Sequence, residues 1–218
     1  MTDAATTAAT RNDATSRRSR AKSDRRSQLL AAAEHLFAEH GYLAVRLEDI
    51  GAEAGVSGPA IYRHFPNKEA LLAELLVGIS TRLLAGASEV ADAAPDPDDA
   101  LAALIDFHLD FALGESDLIR IQDRDLNSLP ATAKRQVRRA QRQYVEVWVG
   151  VLRRRRPNLS EASARVMAHA TFGLLNSTAH TVKPATTKSA IKTTEATLRT
   201  VLRAMTVAAL TSAENEIS

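Results

Sequence analysis

Between Leu47 and Phe65 two short, apolar-spaced segments flank Gly55-Val56-Ser57, and few folds accommodate that spacing. Ile50, Val56 and Ile61 are placed as pegs between two helices that cross steeply, and Gly51, Ala54 and Gly55 fall where the crossing brings backbones together. A glycine inside a helix costs about 0.5–1 kcal/mol relative to alanine, so Gly51 is expected only where backbone proximity demands it. The segment therefore reads as a helix-turn-helix: a helix over 47–54, a tight turn at Gly55, Ser57 as cap, and a short helix over 58–65. Pro59 is tolerated in a first turn, and Pro66 stops the helix.

The same helical periodicity runs through the rest of the chain. Leu29, Leu30, Ala33, Leu36 and Phe37 form one stripe of a helix beginning at Ser23, which Gly41 ends in a left-handed cap. Asn67 caps a further helix striped by Leu71, Leu72, Leu75, Leu76, Ile79 and Leu83, expected to connect two domains. After a loop at 94–99, helices read over 98–113, 115–125, 130–155, 160–181 and 187–211, and no segment alternates with period two for long. The fold class is all-α: an N-terminal three-helix DNA-binding type of domain over 23–66 and a helical bundle over 67–212. A disordered basic arm at 1–22, with no apolar periodicity, and a tail at 213–218 flank them.

Charge narrows the possible partners. The formal net charge is only +2, but residues 1–23 hold five basic and two acidic side chains, 71–133 three and twelve, and 134–156 nine and one. A diffuse polyanion-binding surface is not the design, and local basic patches are. With no cysteine, thiolate metal sites and disulfides are excluded. No signal-peptide core and no run near the roughly 18 apolar residues of a membrane span is read, so the expectation is a soluble, cytoplasmic protein with no membrane partner.

The stretch Leu47-Glu48-Asp49-Ile50-Gly51-Ala52-Glu53-Ala54-Gly55-Val56-Ser57, followed by Ile61-Tyr62-Arg63-His64-Phe65-Pro66-Asn67-Lys68-Glu69-Ala70-Leu71-Leu72, resembles the tetracycline-repressor family of bacterial regulators. The resemblance covers residues 28–72, and beyond Leu83 it rests on helix number and length. It implies a nucleoid-associated, homodimeric repressor whose short second helix enters the major groove of a palindromic double-stranded DNA operator. By that resemblance Gly58, Pro59 and Ala60 meet the bases, Arg46, Tyr62, His64 and Lys68 contact phosphates, and Ser57, where the helix begins, is a further DNA-binding residue. Lys68 also stands at a helix N-terminus, which attracts anions.

Many relatives carry a long polar side chain where this chain has Gly58, so direct reading is lost there, and Pro59 and Ala60 offer only apolar contact to a thymine methyl. Arg63 is the one recognition-helix side chain able to grip guanine in bidentate fashion; a phosphate clamp is its other reading. Arg17, Arg18, Arg20, Lys22, Arg25 and Arg26 form either an arm for the minor groove or a solubilising tail.

In the C-terminal bundle a small effector is expected between helices. Phe107, His108, Phe111, Tyr144, Trp148, Phe172, Asn176 and His180 combine bulk with hydrogen-bonding tips, the alternative being ordinary core. Arg135, Arg138, Arg139 and Arg142 share one helical face, either solvated and balanced by the acidic 115–125 segment or receiving the phosphates of an acyl-CoA at a cavity mouth. Ile191, Thr194, Leu198, Val201, Leu202, Met205 and Ala208, beside Val166, Ala170, Gly173, Leu174 and Ser177, read as a dimer face or as internal core. No phosphate-binding glycine loop, metal-protease motif or nucleophile elbow occurs, and His35 and His40, about 140° apart around a helix, do not share a metal. Neither catalysis nor a cofactor is expected. The alternative function is a helical lipid-binding or interaction protein without sequence-specific DNA binding.

Overall fold

The computed structural model describes the backbone of residues 3–180 and 194–216, with side chains over 20–179 and 194–212. Among them the order is α1 (Asp3–His40), α2 (Leu47–Glu53), α3 (Gly58–Ile61), α4 (Lys68–Ala93), α5 (Pro97–Gly114), α6 (Ser116–Asp125), α7 (Ala131–Arg155), α8 (Glu161–Asn176) and α9 (Glu195–Glu216), with 3-10 turns at Leu126–Ser128 and Ser177–His180. The described residues contain no strand, in keeping with the all-α expectation.

Local chemistry accounts for most boundaries. Asn67 Oδ1 accepts from the Ala70 N–H at 2.8 Å, Asp96 Oδ1 accepts from the Asp98 and Asp99 N–H groups, and Ser160 Oγ accepts from the Ser163 N–H. Each satisfies an amide that has no intrahelical partner. Gly41 and Gly55 adopt φ of 86° and 64°, the left-handed turns their positions called for. Gly51 is where backbones do meet: a Cβ there would lie 3.1 Å from the Val56 carbonyl oxygen.

Several expectations change. The arm at 1–22, read as disordered, continues α1 back to Asp3, and its alanine and arginine content favours that helix. The α-helical part of α3 ends at Ile61 rather than Phe65. The N–H groups of Arg63 and His64 bond three residues back, to the Ala60 and Ile61 carbonyls, in tighter turns than an α-helix makes. Ser57 occupies the cap position, yet its hydroxyl makes no capping bond. The helix expected over 160–181 tightens into a 3-10 turn after Asn176, α9 begins at Glu195 and runs through Glu216, and Ile191 lies outside the described residues.

The chain divides into two compact units, Met1–Leu75 and Leu76–Ser218, rather than at residue 66. The start of α4 belongs with the first unit because its side chains bond there. The Lys68 ammonium donates to the Tyr42 and Val45 carbonyls, and Glu74 pairs with Arg26. Leu29, Phe37, Ile50, Ile61, Phe65, Leu71 and Leu72 are fully buried and form that unit's core. The expected absence of a membrane-length helix needs correcting: by length and composition α4 alone among the described helices meets it, and burial of Leu71, Leu72, Leu76 and Ile79 is the packing reason for its apolar character.

In the second unit α5, α7, α8 and α9 surround Trp148, Leu104, Leu109, Leu152 and Leu175, all fully buried. Gly86 of α4 lets the Phe107 ring lie against its backbone, where a Cβ would come within 2.5 Å of the ring. Two acids of α5 pair with α9: Asp106 accepts from Arg203 at 2.8 Å, and Asp110 pairs with Arg199.

Candidate nucleic-acid interface and buried polar cluster

Beneath α2 and α3 the pegs Ile50, Val56 and Ile61 are buried, as their spacing required. Arg46, Ser57, Pro59, Tyr62 and Arg63 are exposed on the outer side, with Gly58 and Ala60 partly exposed between them. The Arg46 N–H donates to Asp49 Oδ2 at 2.8 Å, which holds the start of α2 and leaves the guanidinium outside.

Two of the expected phosphate contacts, Tyr62 and Lys68, already have partners. The Tyr62 hydroxyl donates to Glu48 Oε1 at 2.6 Å. That bond lowers the Glu48 pKa and raises that of Tyr62, so the hydroxyl proton is held by a carboxylate of α2. The Lys68 ammonium, 2.6 and 2.7 Å from two carbonyls and 4.3 Å from the Tyr42 ring centroid, has one proton left over. His64 is half-buried. Burial first, and then Lys22, Arg26, Arg25 and Arg63, lower its pKa, and its Nδ1 is buried without a hydrogen-bond partner.

Sequence reasoning missed Arg26. It was grouped with the mobile arm, yet its guanidinium pairs with Glu74, donates to the His64 carbonyl at 2.6 Å and lies 4.1 Å from the Phe65 ring centroid. Its partners lie 38 and 48 residues away, beyond the reach of local periodicity.

In the second unit His108, Phe111, Tyr144, Trp148, Phe172 and Asn176 converge. The His108 and Phe172 rings stack at 5.2 Å, and Trp148 meets Phe172 edge-on at 5.3 Å. His108 is buried and its pKa is pushed down by desolvation to about 4, so it is neutral. Asn176 Oδ1 only accepts, so the proton is on His108 Nε2, which donates to it at 3.0 Å. Nδ1 then accepts from the Tyr144 hydroxyl at 2.8 Å, and burial raises the Tyr144 pKa. The Trp148 Nε1–H is buried without a partner in hydrogen-bonding geometry.

The rest of the expected lining falls elsewhere. Phe107 turns away to Gly86, because neighbours on a helix point about 100° apart. The His180 side chain lies outside the described residues. Arg135, Arg138, Arg139 and Arg142 are exposed, whereas Tyr144 and Trp148 of the same helix are buried, so the arginines do not rim this cluster. Within the acidic segment meant to balance them, Glu115 pairs with Arg82 and Asp117 with Arg120. A cleft of about 290 Å³ runs along Thr132, Arg135, Gln136 and Arg139 on the α7 surface, apart from the aromatic residues.

Val166, Val201 and Met205 are 68%, 49% and 50% exposed, an uncovered apolar face on α8 and α9. Leu202, expected in the same stripe, is instead buried with Thr206 and Leu210 as the inward side of α9.

An all-helical chain with a crossed-helix reader in one unit and a buried aromatic cluster in the other has the build of a helix-turn-helix regulator. The profile of bacterial regulatory proteins of the tetR family matches residues 29–75, and that of a tetracyclin repressor-like C-terminal domain matches residues 94–205. The chain belongs to the tetR family of bacterial transcriptional regulators. It is 30% identical over 132 residues to the HTH-type transcriptional repressor KstR2 of Rhodococcus jostii (strain RHA1), a match spanning 60% of this chain and 65% of that protein, just short of two thirds. The structure of the ketosteroid regulator KstR2 of Mycobacterium tuberculosis superposes with a TM-score of 0.71 at 22% identity, covering 86% of this chain and 94% of that one. AibR, solved with isovaleryl coenzyme A and operator DNA, gives a TM-score of 0.68 at 17% identity, covering 83% and 97%. At these identities the two structures establish a shared fold.

Proposed function

We propose that this chain is a cytoplasmic repressor that binds a palindromic operator as a homodimer and releases it when a small apolar or amphipathic effector enters the second unit. The carrying observation is the outer face of α2 and α3, where Ser57, Pro59 and Arg63 stand clear of the core while Ile50 and Ile61 are buried beneath them. That arrangement suits delivery of a short helix into a major groove. The exposed apolar face of α8 and α9 supports pairing with a second copy, which sets two readers about one helical turn of DNA apart. No catalytic role is proposed.

The effector region is the His108 cluster. It is packed against itself, so an effector must bind an opened arrangement more tightly than the closed one to shift the population. An acyl-CoA is the proposed class, supported by the isovaleryl coenzyme A in the structurally similar AibR and by the apolar surroundings of the cluster. Since α4 holds residues of both units, it is the proposed carrier of the response.

Selection from a random duplex pool by the purified chain tests the operator reading. Enrichment of an inverted repeat supports it; repeated failure favours a helical lipid-binding protein. Release of the selected duplex by isovaleryl-CoA but not by isovalerate supports the effector class, and equal response to both removes it.

A further inference from the structure

Lys22, Arg25 and Arg26 lie within about 100° of one another on α1 at 3.6 residues per turn, on the side of Leu29, which is fully buried in the first unit's core. Arg26 fixes this side of α1 to the end of the recognition segment, since its guanidinium reaches the His64 carbonyl and lies over Phe65. Arg63 immediately precedes His64 in that segment. Glu74 neutralises Arg26, but among the described residues no ion pair engages Lys22, Arg25 or Arg63, and all three are exposed. Three exposed cations without an ion-pair partner among the described residues are therefore gathered near His64, whose pKa is lowered first by burial and then by Lys22, Arg26, Arg25 and Arg63.

We infer that Lys22, Arg25 and Arg63 form one phosphate clamp on a single DNA strand, and that Arg63 holds backbone rather than reading guanine. This rests on the operator reading above. A base edge presents one guanidinium with neutral acceptors, whereas the backbone presents a row of full negative charges. A guanidinium set among other cations gains more from the phosphate backbone, which neutralises all three together. With Arg63 so occupied, α3 offers the bases only Gly58, Pro59 and Ala60. Operator choice then falls on apolar contact to thymine methyls and on sequence-dependent duplex shape.

The test uses the full chain, the duplex it selects from a random pool, and a scrambled duplex of the same length, each titrated against NaCl. Arg63→Ala is expected to weaken binding to both duplexes by the same factor and to shrink the slope of log K against log salt by about 0.9, with Arg63→Lys restoring it. Lys22→Ala, Arg25→Ala and Arg63→Ala together are expected to shrink it by about 2.7. A selected-to-scrambled ratio that falls more than tenfold in Arg63→Ala at constant slope overturns the clamp in favour of guanine reading, and an Arg63→Ala variant unchanged in both respects overturns it as well. A wild-type chain that binds neither duplex at low salt overturns the operator reading itself.

Discussion

Arg26 and Glu74 meet edge to edge: Nε donates to Oε1 at 2.7 Å while Nη2 pairs with Oε2, tying α1 to the first turns of α4. Both side chains are more than one third exposed, so the pair alone is worth little in water. The bond to the His64 carbonyl and the stacking over Phe65 add to it. Arg26→Ala is expected to cost about 1–2 kcal/mol, and Glu74→Gln distinctly less. Urea unfolding of both variants measures the difference, and equal losses contradict the added role of the carbonyl and ring.

Burial of neutral His108 gives stability a defined pH dependence. Its pKa falls from 6.5 to about 4 on folding, so the unfolded chain binds the proton more readily between those values. The contribution is whole above pH 6.5 and is lost progressively as pH falls toward 4, up to about 3 kcal/mol. The difference between wild type and His108→Gln in urea midpoints from pH 7 to pH 4 isolates this slope from the carboxylates, and parallel curves contradict it.

At Gly86 a methyl group has no room while Phe107 keeps its place. Gly86→Ala should therefore destabilise the chain by about 1 kcal/mol despite its better helix propensity. Adding Phe107→Leu, which shortens the obstructing ring, should recover part of the loss. Thermal unfolding of the two single variants and the double variant reads this coupling directly.

Pairing through α8 and α9 predicts that Val166→Glu or Met205→Glu yields monomers, because each places a charge in the middle of an apolar contact. Both side chains are outside the protomer's core, so helicity should be retained. Sedimentation velocity distinguishes the outcomes, and a dimer that persists in both variants places the interface elsewhere.

Releasing Tyr62 from Glu48 should favour DNA. Glu48→Ala removes a carboxylate from the outer face and frees the hydroxyl to donate to a phosphate. Affinity for any duplex is expected to rise several-fold at low salt, the gain fading as salt screens the charge. Electrophoretic titration at two salt concentrations checks it.

Much of the architecture was legible because helices announce themselves locally. The peg spacing of Ile50, Val56 and Ile61, the left-handed Gly41 and Gly55, and the Asn67 cap are all decided within a few residues. What escaped depends on pairs distant in sequence. Nothing near Lys68 indicates that its ammonium is bound by carbonyls 23 and 26 residues earlier, and nothing near Tyr62 points to Glu48. The arginines of α7 were legible as a face, but not as one turned away from the aromatic cluster. That direction depends on which side of the helix Tyr144 and Trp148 bury, and hence on the packing of α5 and α8 against it.

The Lys68 ammonium fastens the loop before α2 to the head of α4, and α3 lies between those two points in the chain. The reader is thus braced on both flanks before any duplex arrives, so docking requires no concurrent folding. Association should then run at rates governed by electrostatic encounter, with sequence preference expressed in how long the complex lasts.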